Sequence, residues 1–356
     1  MRILYAIGSW GLGHAARSLP VLEALQADGH DLTVISSGRA LLMLRRELGD
    51  RCEFLDWPHF PHTVGRSAAA LYARTAVALP AMLRVMTWER QATRTLLRRR
   101  RFDRIVSDNR YGVQDPAVPS FHVTNNVRFL APGRVAVLEW ALEAFNYAWF
   151  RGLRRVIVPD TPEDALAGDL AHRLRIFPSR LLAYVGLLSP VRARDTGQDL
   201  DVFITISGPE PQRSLLERLV RSQLASIPGK VVVTRGRPEG SDVERVGAVD
   251  VHDFLGRKHQ EEMMNRARVI IGRPGFSTLT SVAEVERKAV FIPTPGQTEQ
   301  QYLAAFHHAR GAIYAAPQAR ARLADAIDAA VQRSGLTARV KTAEAVRRVV
   351  ELIRAG

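Results

Sequence analysis

The stretch 270–301, IIGRPGFSTLTSVAEVERKAVFIPTPGQTEQQ, limits what this chain can fold into more than any other. The β-branched run at 268–271 reads as a short strand buried on both faces. Gly272-Arg273-Pro274-Gly275 breaks it, and 277–286 carries a helical pattern. A second apolar strand at 289–292 ends at Pro293, and Thr294-Pro295-Gly296 makes a loop before a helix from Gln297. Strand, glycine turn, helix, strand is the order of an α/β fold with a parallel sheet, since parallel neighbours need a crossover. The turn puts backbone N–H groups and the Ser277 and Thr278 hydroxyls at a helix start, where an anion is stabilised. Gln297, Glu299 and Gln300 suit bidentate hydrogen bonds to vicinal hydroxyls. A phosphate seat beside a hydroxyl reader suggests a sugar nucleotide. The plainer alternative is one more βαβ unit with polar residues in its loops.

The same alternation runs on both sides of a polar, turn-rich linker at 189–199, SPVRARDTGQD. Before it, strands are expected at 2–7, 31–36, 102–107, 120–124, 154–159 and 184–186, with helices at 15–27 and 135–150. After it come a strand at 201–206, a loop at 207–213, a helix to about 225 and a strand at 230–234. A chain of 356 residues suits two such domains, 1–188 and 200–336. Residues 59–101 read as helical with a break at Pro80, nearly all apolar over 68–88 apart from Arg74 and Arg84, then basic at 98–101. A core helix pair is the simpler reading, and a lipid-touching surface the functional one.

Several classes fall away. The first loop, Gly8-Ser9-Trp10-Gly11-Leu12-Gly13-His14, spaces its glycines G-x-x-G-x-G, and the second strand ends Ser36-Ser37-Gly38-Arg39 with no acid. That disfavours NAD, less so NADP, and no G-K-[ST] marks a P-loop. Net charge is +14, but no recognition helix, zinc finger or aromatic RNA platform goes with it, so nucleic acid is not expected. No Asp-x-Asp is evident where a metal-dependent transferase would hold its ion, and His59-Phe60-Pro61-His62 and His307-His308 lack ligand partners, so no metal is expected. Cys52 is alone and no apolar run is long enough to span a bilayer. The N-terminus does not read as a signal peptide, so the expected location is cytoplasmic.

Three motifs, SDNRYG at 107–112, SGPEPQR at 207–213 and PTPGQTEQ at 293–300, carry a resemblance to GT-B glycosyltransferases, in the branch that holds MurG and the UDP-glycosyltransferases. The chain looks most like a prokaryotic MurG-like set with these motifs. The resemblance implies a GT-B fold: two Rossmann-like α/β domains facing across a cleft, with residues 337–356 as a helix packing back toward the first. It implies no cofactor, a nucleotide-diphosphate sugar as co-substrate, and peripheral contact with anionic membrane where the acceptor is lipid-linked.

Ligands bind beyond the carboxyl ends of parallel strands, so the loops holding His14, Asp108, 207–213 and 275–278 should gather. Inverting glycosyl transfer needs a base for the acceptor hydroxyl, and His14 suits that role with Asp108 orienting its ring. The GLGH loop resembles the base-bearing loop of the relatives. Ser207, Gly208, Gly275, Phe276, Ser277 and Thr278 are expected at the diphosphate, with Arg213 or Arg273 adding charge, and Gly13 is expected to touch the donor. By resemblance Phe254 and Leu255 pack the base of the nucleotide, while Gln297, Glu299 and Gln300 read the donor sugar. Trp10, Asn109, Arg110, Asn125 and Asn126 are expected on the acceptor side. Two positions depart from the relatives: Ser281 stands where they hold a ribose-gripping glutamate, with Glu284 a turn later, and Asn125-Asn126 where they tend to read His-Gln. The expected activity is metal-independent inverting transfer from a nucleotide sugar, UDP-linked, to a small or lipid-linked hydroxyl acceptor. The alternatives are a UDP-sugar 2-epimerase of the same fold and a nucleotide-sugar-binding protein without turnover.

Overall fold

The computed structural model describes residues 1–60, 68–237 and 239–356. Contacts divide them into two compact units, one built from residues 1–60, Tyr72–Ser189 and Arg339–Gly356, the other from residues 68–71 and Pro190–Ala338.

The first unit holds β1 (Arg2–Ile7), α1 (Gly13–Ala27), β2 (Asp31–Ser36), α2 (Gly38–Leu48), β3 (Glu53–Asp56), α3 (Ala68–Arg99), β4 (Arg104–Asp108), β5 (Ser120–Val123), α4 (Ala136–Phe150), β6 (Arg155–Val158) and β7 (Leu182–Tyr184). Its seven strands lie in the order β3-β2-β1-β4-β5-β6-β7, each parallel to its neighbour. Helices on both faces bury the central strands fully; Ile3 through Ile7 have no exposed surface. The order reverses between β1 and β4, so the crevice where ligands of such sheets bind lies beyond Ile7 and Asp108, which are paired in register.

The second unit holds β8 (Leu200–Thr205), α5 (Gln212–Gln223), β9 (Val231–Thr234), β10 (Val243–Val246), β11 (Val249–His252), α6 (Arg257–Arg266), β12 (Ala267–Gly272), α7 (Phe276–Val285), β13 (Lys288–Phe291), α8 (Thr298–Ala309), β14 (Tyr314–Ala315) and α9 (Leu323–Val331). The order is β10-β11-β9-β8-β12-β13-β14, with β10 alone antiparallel. Here the reversal falls between β8 and β12, where Thr205 and Gly272 are partners. The hairpin of β10 and β11 was not expected from the sequence, although Val-Asp-Val-His of β11 alternates as a half-buried strand does.

The last helix, α10 (Thr342–Ala355), belongs to the first unit and begins five residues later than the pattern suggested. Ala345, Val346, Val349, Val350 and Ile353 are buried in the cluster that α1 feeds with Leu19, Leu22 and Leu25. Each buried Val or Ile among them contributes about 1.5–3 kcal/mol, enough to hold the returning segment. Arg104 donates to the Ile353 and Arg354 carbonyls at 2.7 and 3.1 Å, satisfying acceptors at that helix end.

Two expectations fail in α3. It is one helix running through Pro80, with no break there. Nor is it half of a core pair: Met86, Glu89 and Thr93 are buried, whereas Val77 is 82% exposed and Leu79, Leu83 and Trp88 also face outward. The part of the expected helical stretch at 61–67, with His62 of the dismissed histidine cluster, lies outside the described residues. Among the described residues no helix is long and apolar enough to cross a membrane.

Candidate active site

The site of the first unit is built at the reversal between β1 and β4. After Ile7 the chain turns through Gly8, whose N–H donates to the Asp108 carbonyl at 2.7 Å, and α1 starts at Gly13. That start lifts His14 into the first helical turn, 20% exposed at its side chain, beside the fully buried Asp108 at the end of β4. His14 Nδ1 lies 2.7 Å from Asp108 Oδ1. His14 does not cap its helix, which has no side-chain cap. Since a carboxylate only accepts, Nδ1 carries the proton and Nε2 keeps its lone pair. Asn109, held at a positive φ of 60° that asparagine tolerates, brings its Nδ2 to 3.4 Å from that Nε2.

Asp108 has two further partners that the sequence reading missed. Arg17 forks onto both its oxygens, Nε to Oδ2 at 2.7 Å and Nη2 to Oδ1 at 2.5 Å, and Ser18 Oγ donates to Oδ2 at 3.0 Å. Arg17 also donates from Nη1 to Asn125 Oδ1 at 2.8 Å. Burial alone would raise the Asp108 carboxyl; Arg17 and His14 beside it hold it well below the usual carboxylate range. The signal was available: His14, Arg17 and Ser18 are spaced i, i+3, i+4 and so share one face of α1.

Arg110 corrects an expectation. Placed on the acceptor side by the sequence, it has no exposed surface. It donates to the carbonyls of Ile7, Trp57 and Pro58 and pairs with the equally buried Glu89 of α3 at 3.1 Å. It is a strut, anchoring the 107–112 loop. Gly112 closes that loop because α3 passes over it: a Cβ there would lie 2.2 Å from the Met86 carbonyl oxygen. Its N–H donates to Glu89 at 3.0 Å. Burial raises Glu89 to about 7, against the pull of Arg110 and this N–H. Trp10 is 36% exposed on the first loop, Asn126 is half-buried and Asn125 buried.

In the second unit the reversal between β8 and β12 brings two loops to one sheet edge. Ser207 is half-buried and Gly208 exposed, the glycine at a φ of 116° that a side chain would resist. Gly275 is the N-cap residue of α7, which has no side-chain cap, and a Cβ on it would meet nothing within 4 Å. Open space thus faces the helix start, with Ser277 and Thr278 half-buried beside it and Phe276 packed inward. Both arginines expected at a diphosphate are engaged elsewhere. Arg213 is buried, binding Glu210 and Glu217 and donating to the Arg235 carbonyl. Arg273 is 1% exposed and donates to the Ile292 and Gln212 carbonyls and to Gln318; burial lowers it to about 10. Both are corrections: in these conformations the charge braces loops.

Phe254 and Leu255 follow β11 and are half-buried. Glu299 is half-buried at the start of α8, with Gln297 the N-cap residue; Gln300 turns back to accept the Thr294 N–H at 2.9 Å. Ser281 and Glu284 are 3% and 4% exposed, and the Ser281 hydroxyl donates to the Ser277 carbonyl. Among the described residues no group of three His, Cys, Asp or Glu could hold a metal ion.

Residues 1–55 match the family model described as glycosyl transferase family 1, and 212–353 that of the glycosyltransferase family 28 C-terminal domain. No curated protein matches the chain. Among solved structures it is similar to MurG of Acinetobacter baumannii, at 16% identity and a TM-score of 0.57 over 100% of this chain and 99% of that one. The spinosyn rhamnosyltransferase SpnG complexed with thymidine diphosphate is similar at 15% identity and a TM-score of 0.56, over 100% and 96%. So is a structure described as a putative UDP-N-acetylglucosamine 2-epimerase of Listeria monocytogenes, at 10% identity and 0.60, over 98% and 94%. Likenesses at such identities share the fold. With a glycosyltransferase family model matched at each end of one GT-B fold, the chain is an enzyme of the GT-B glycosyltransferase type.

Proposed function

We propose that the chain moves a sugar, with inversion and without a metal, from a nucleoside-diphosphate donor to a hydroxyl acceptor, with His14 as general base. The observation that carries this reading is the 2.7 Å contact between His14 Nδ1 and Asp108 at the strand-order reversal. It directs the Nε2 lone pair outward from a partly exposed ring, the arrangement proton abstraction requires. The imidazolium formed as His14 takes the acceptor proton is stabilised by Asp108, which stays ionised. The anomeric carbon is then attacked as the bond to the nucleotide diphosphate breaks. In the second unit the uncapped start of α7, with Ser277, Thr278 and the Ser207-Gly208 turn, takes the diphosphate as it departs. Gln297, Glu299 and Gln300 are assigned to the donor sugar, and Phe254 and Leu255 to the base of the nucleotide. UDP is the first nucleotide to try, and the thymidine diphosphate bound to SpnG makes that the second.

The acceptor side is drawn from Trp10, Asn109, Asn125 and Asn126. The outward apolar residues of α3, Val77, Leu79, Leu83 and Trp88, interleaved with the exposed Arg74 and Arg84, support contact with an anionic lipid surface and hence a lipid-linked acceptor. One observation favours a second reading, 2-epimerisation of a UDP-sugar: the fold is as similar to the Listeria structure as to the transferases. Nuclear magnetic resonance of a UDP-sugar incubated with the protein separates them. Transfer or hydrolysis releases UDP and needs an acceptor or water; an isomerised sugar still on its nucleotide, with no acceptor added, would displace the transferase reading.

A further inference from the structure

We infer that Arg17 is a positioning residue of the His14–Asp108 pair. Its guanidinium keeps the carboxylate ionised and fixed against the imidazole, and it ties that pair to Asn125. The inference rests on the reading of His14 as the base and deepens it.

The geometry makes Arg17 more than a neighbour. It is 3% exposed and uses Nε, Nη1 and Nη2 on two residues from separate strand ends, Asp108 after β4 and Asn125 after β5. A carboxylate offers about four lone-pair positions. Those of Asp108 meet the His14 ring, two guanidinium donors and the Ser18 hydroxyl. No position is left for a proton, so Asp108 stays an acceptor throughout a proton transfer at His14. A buried carboxylate with no counter-charge is much less stable than one that is paired. Arg17 supplies that charge from the helix that carries His14, one turn on, so both groups move as one body.

The same arrangement sets what the imidazole feels. Asp108, Arg17 and Asn109 lie against it, His122 of β5 is near enough to feel its charge, and Tyr5 of β1 stands beside Asp108 and Ser18. Burial raises the Tyr5 hydroxyl and pushes His122 down to about 3, so both stay neutral at working pH. The imidazolium therefore forms beside a neutralised ion pair instead of a bare anion. Arg17 gives up part of the attraction that a lone Asp108 would provide and gains a fixed tautomer. Its Nη2 also lies 3.0 Å from His14 Nδ1, while the Nδ1 proton is directed to Asp108 Oδ1. By occupying the Asn125 oxygen, Arg17 leaves the Asn125 amide to donate, here toward Asn126 Oδ1 at 3.4 Å.

The test is a pH titration of the ring C–H resonances of histidine-13C-labelled protein without ligand, His14 being assigned by the signal missing from His14→Gln. Arg17→Gln is expected to move the His14 midpoint up by about one pH unit, the bare carboxylate now favouring imidazolium. Arg17→Lys, which keeps the charge but cannot fork over both oxygens, is expected to hold the wild-type midpoint. Its turnover of UDP-glucose hydrolysis should fall about tenfold at unchanged KM, since orientation and not binding is lost. The lysine variant also covers the case in which the glutamine variant does not fold. A wild-type midpoint in Arg17→Gln, or wild-type turnover in Arg17→Lys, overturns the inference. His14→Ala decides the other question separately. If it hydrolyses UDP-glucose at the wild-type rate the base role falls, while the titration still shows whether Arg17 governs the ring.

Discussion

The two units place polar loops at matching points, beyond the strand ends where the order reverses, and use them in opposite ways. In the first unit the reversal between β1 and β4 is filled with side chains: His14, Asp108, Arg17, Ser18 and Asn125 form one connected network. In the second, the reversal between β8 and β12 turns its arginines inward, and what faces open space is the backbone around Gly275 with two hydroxyls. Under the proposed function the difference follows from what each unit would do. Moving a proton requires a titratable group with fixed partners. Holding a diphosphate can rest on N–H groups converging at a helix start. Buried arginine therefore means different things in the two places: Arg17 completes a site, whereas Arg213 and Arg273 build a wall behind one.

The largest expected effect is at His14. His14→Ala should lower turnover on the order of 10²–10⁴-fold, the usual range for a general base. Next comes a contrast between two glycines. Gly112→Ala forces a Cβ against the Met86 carbonyl and should destabilise the first unit by about 1–3 kcal/mol, read as a lowered unfolding midpoint in urea. Gly275→Ala has room for its Cβ and should leave that midpoint unchanged while weakening UDP binding about tenfold, because the methyl stands where the anion approaches. Equal stability losses in both would erase the distinction between a packed loop and an open one.

A smaller effect sharpens the first-unit side. Glu89 is raised from its ordinary 4.5 to about 7, so between those values the folded protein binds a proton that the unfolded chain does not. Its contribution to stability is fully present below about 4.5 and is lost as pH rises through about 7. Thermal midpoints should decline over that window in the wild type and be flatter in Glu89→Gln. The smallest effect belongs to Arg273. Arg273→Met should change UDP affinity less than about threefold while altering stability, as expected of a side chain whose contacts are carbonyls and a glutamine within its own unit. A loss of UDP binding in a folded Arg273→Met would return this arginine to the diphosphate.

The sequence shows the repeated strand, turn and helix plainly, because buried parallel strands are apolar runs and their loops carry the glycines. It also shows His14 and Asp108, since loops after strands are where sites form. Edge elements were harder. β3 begins at Glu53 and ends at Asp56 with little burial, so its pattern is weak. The continuity of α3 through Pro80 was hidden because a proline reads as a breaker unless the rest of the helix is known to be held. Arginine was the least legible residue type. Arg17, Arg110, Arg213 and Arg273 look alike in a chain with arginine throughout, and only the carboxylates and carbonyls that surround them separate a positioning group from a strut. The donor-sugar residues could be named from their loop, but which hydroxyl each meets depends on a bound sugar.

Calorimetric titration of UDP into His14→Ala, run beside a UDP-glucose turnover assay on the same preparation, tests the central claim most directly. If His14 is the base and the second unit holds the nucleotide, UDP binds with wild-type affinity while turnover falls on the order of 10²–10⁴-fold. Wild-type turnover in this variant, or loss of UDP binding in step with turnover, would contradict the assignment of proton transfer to His14.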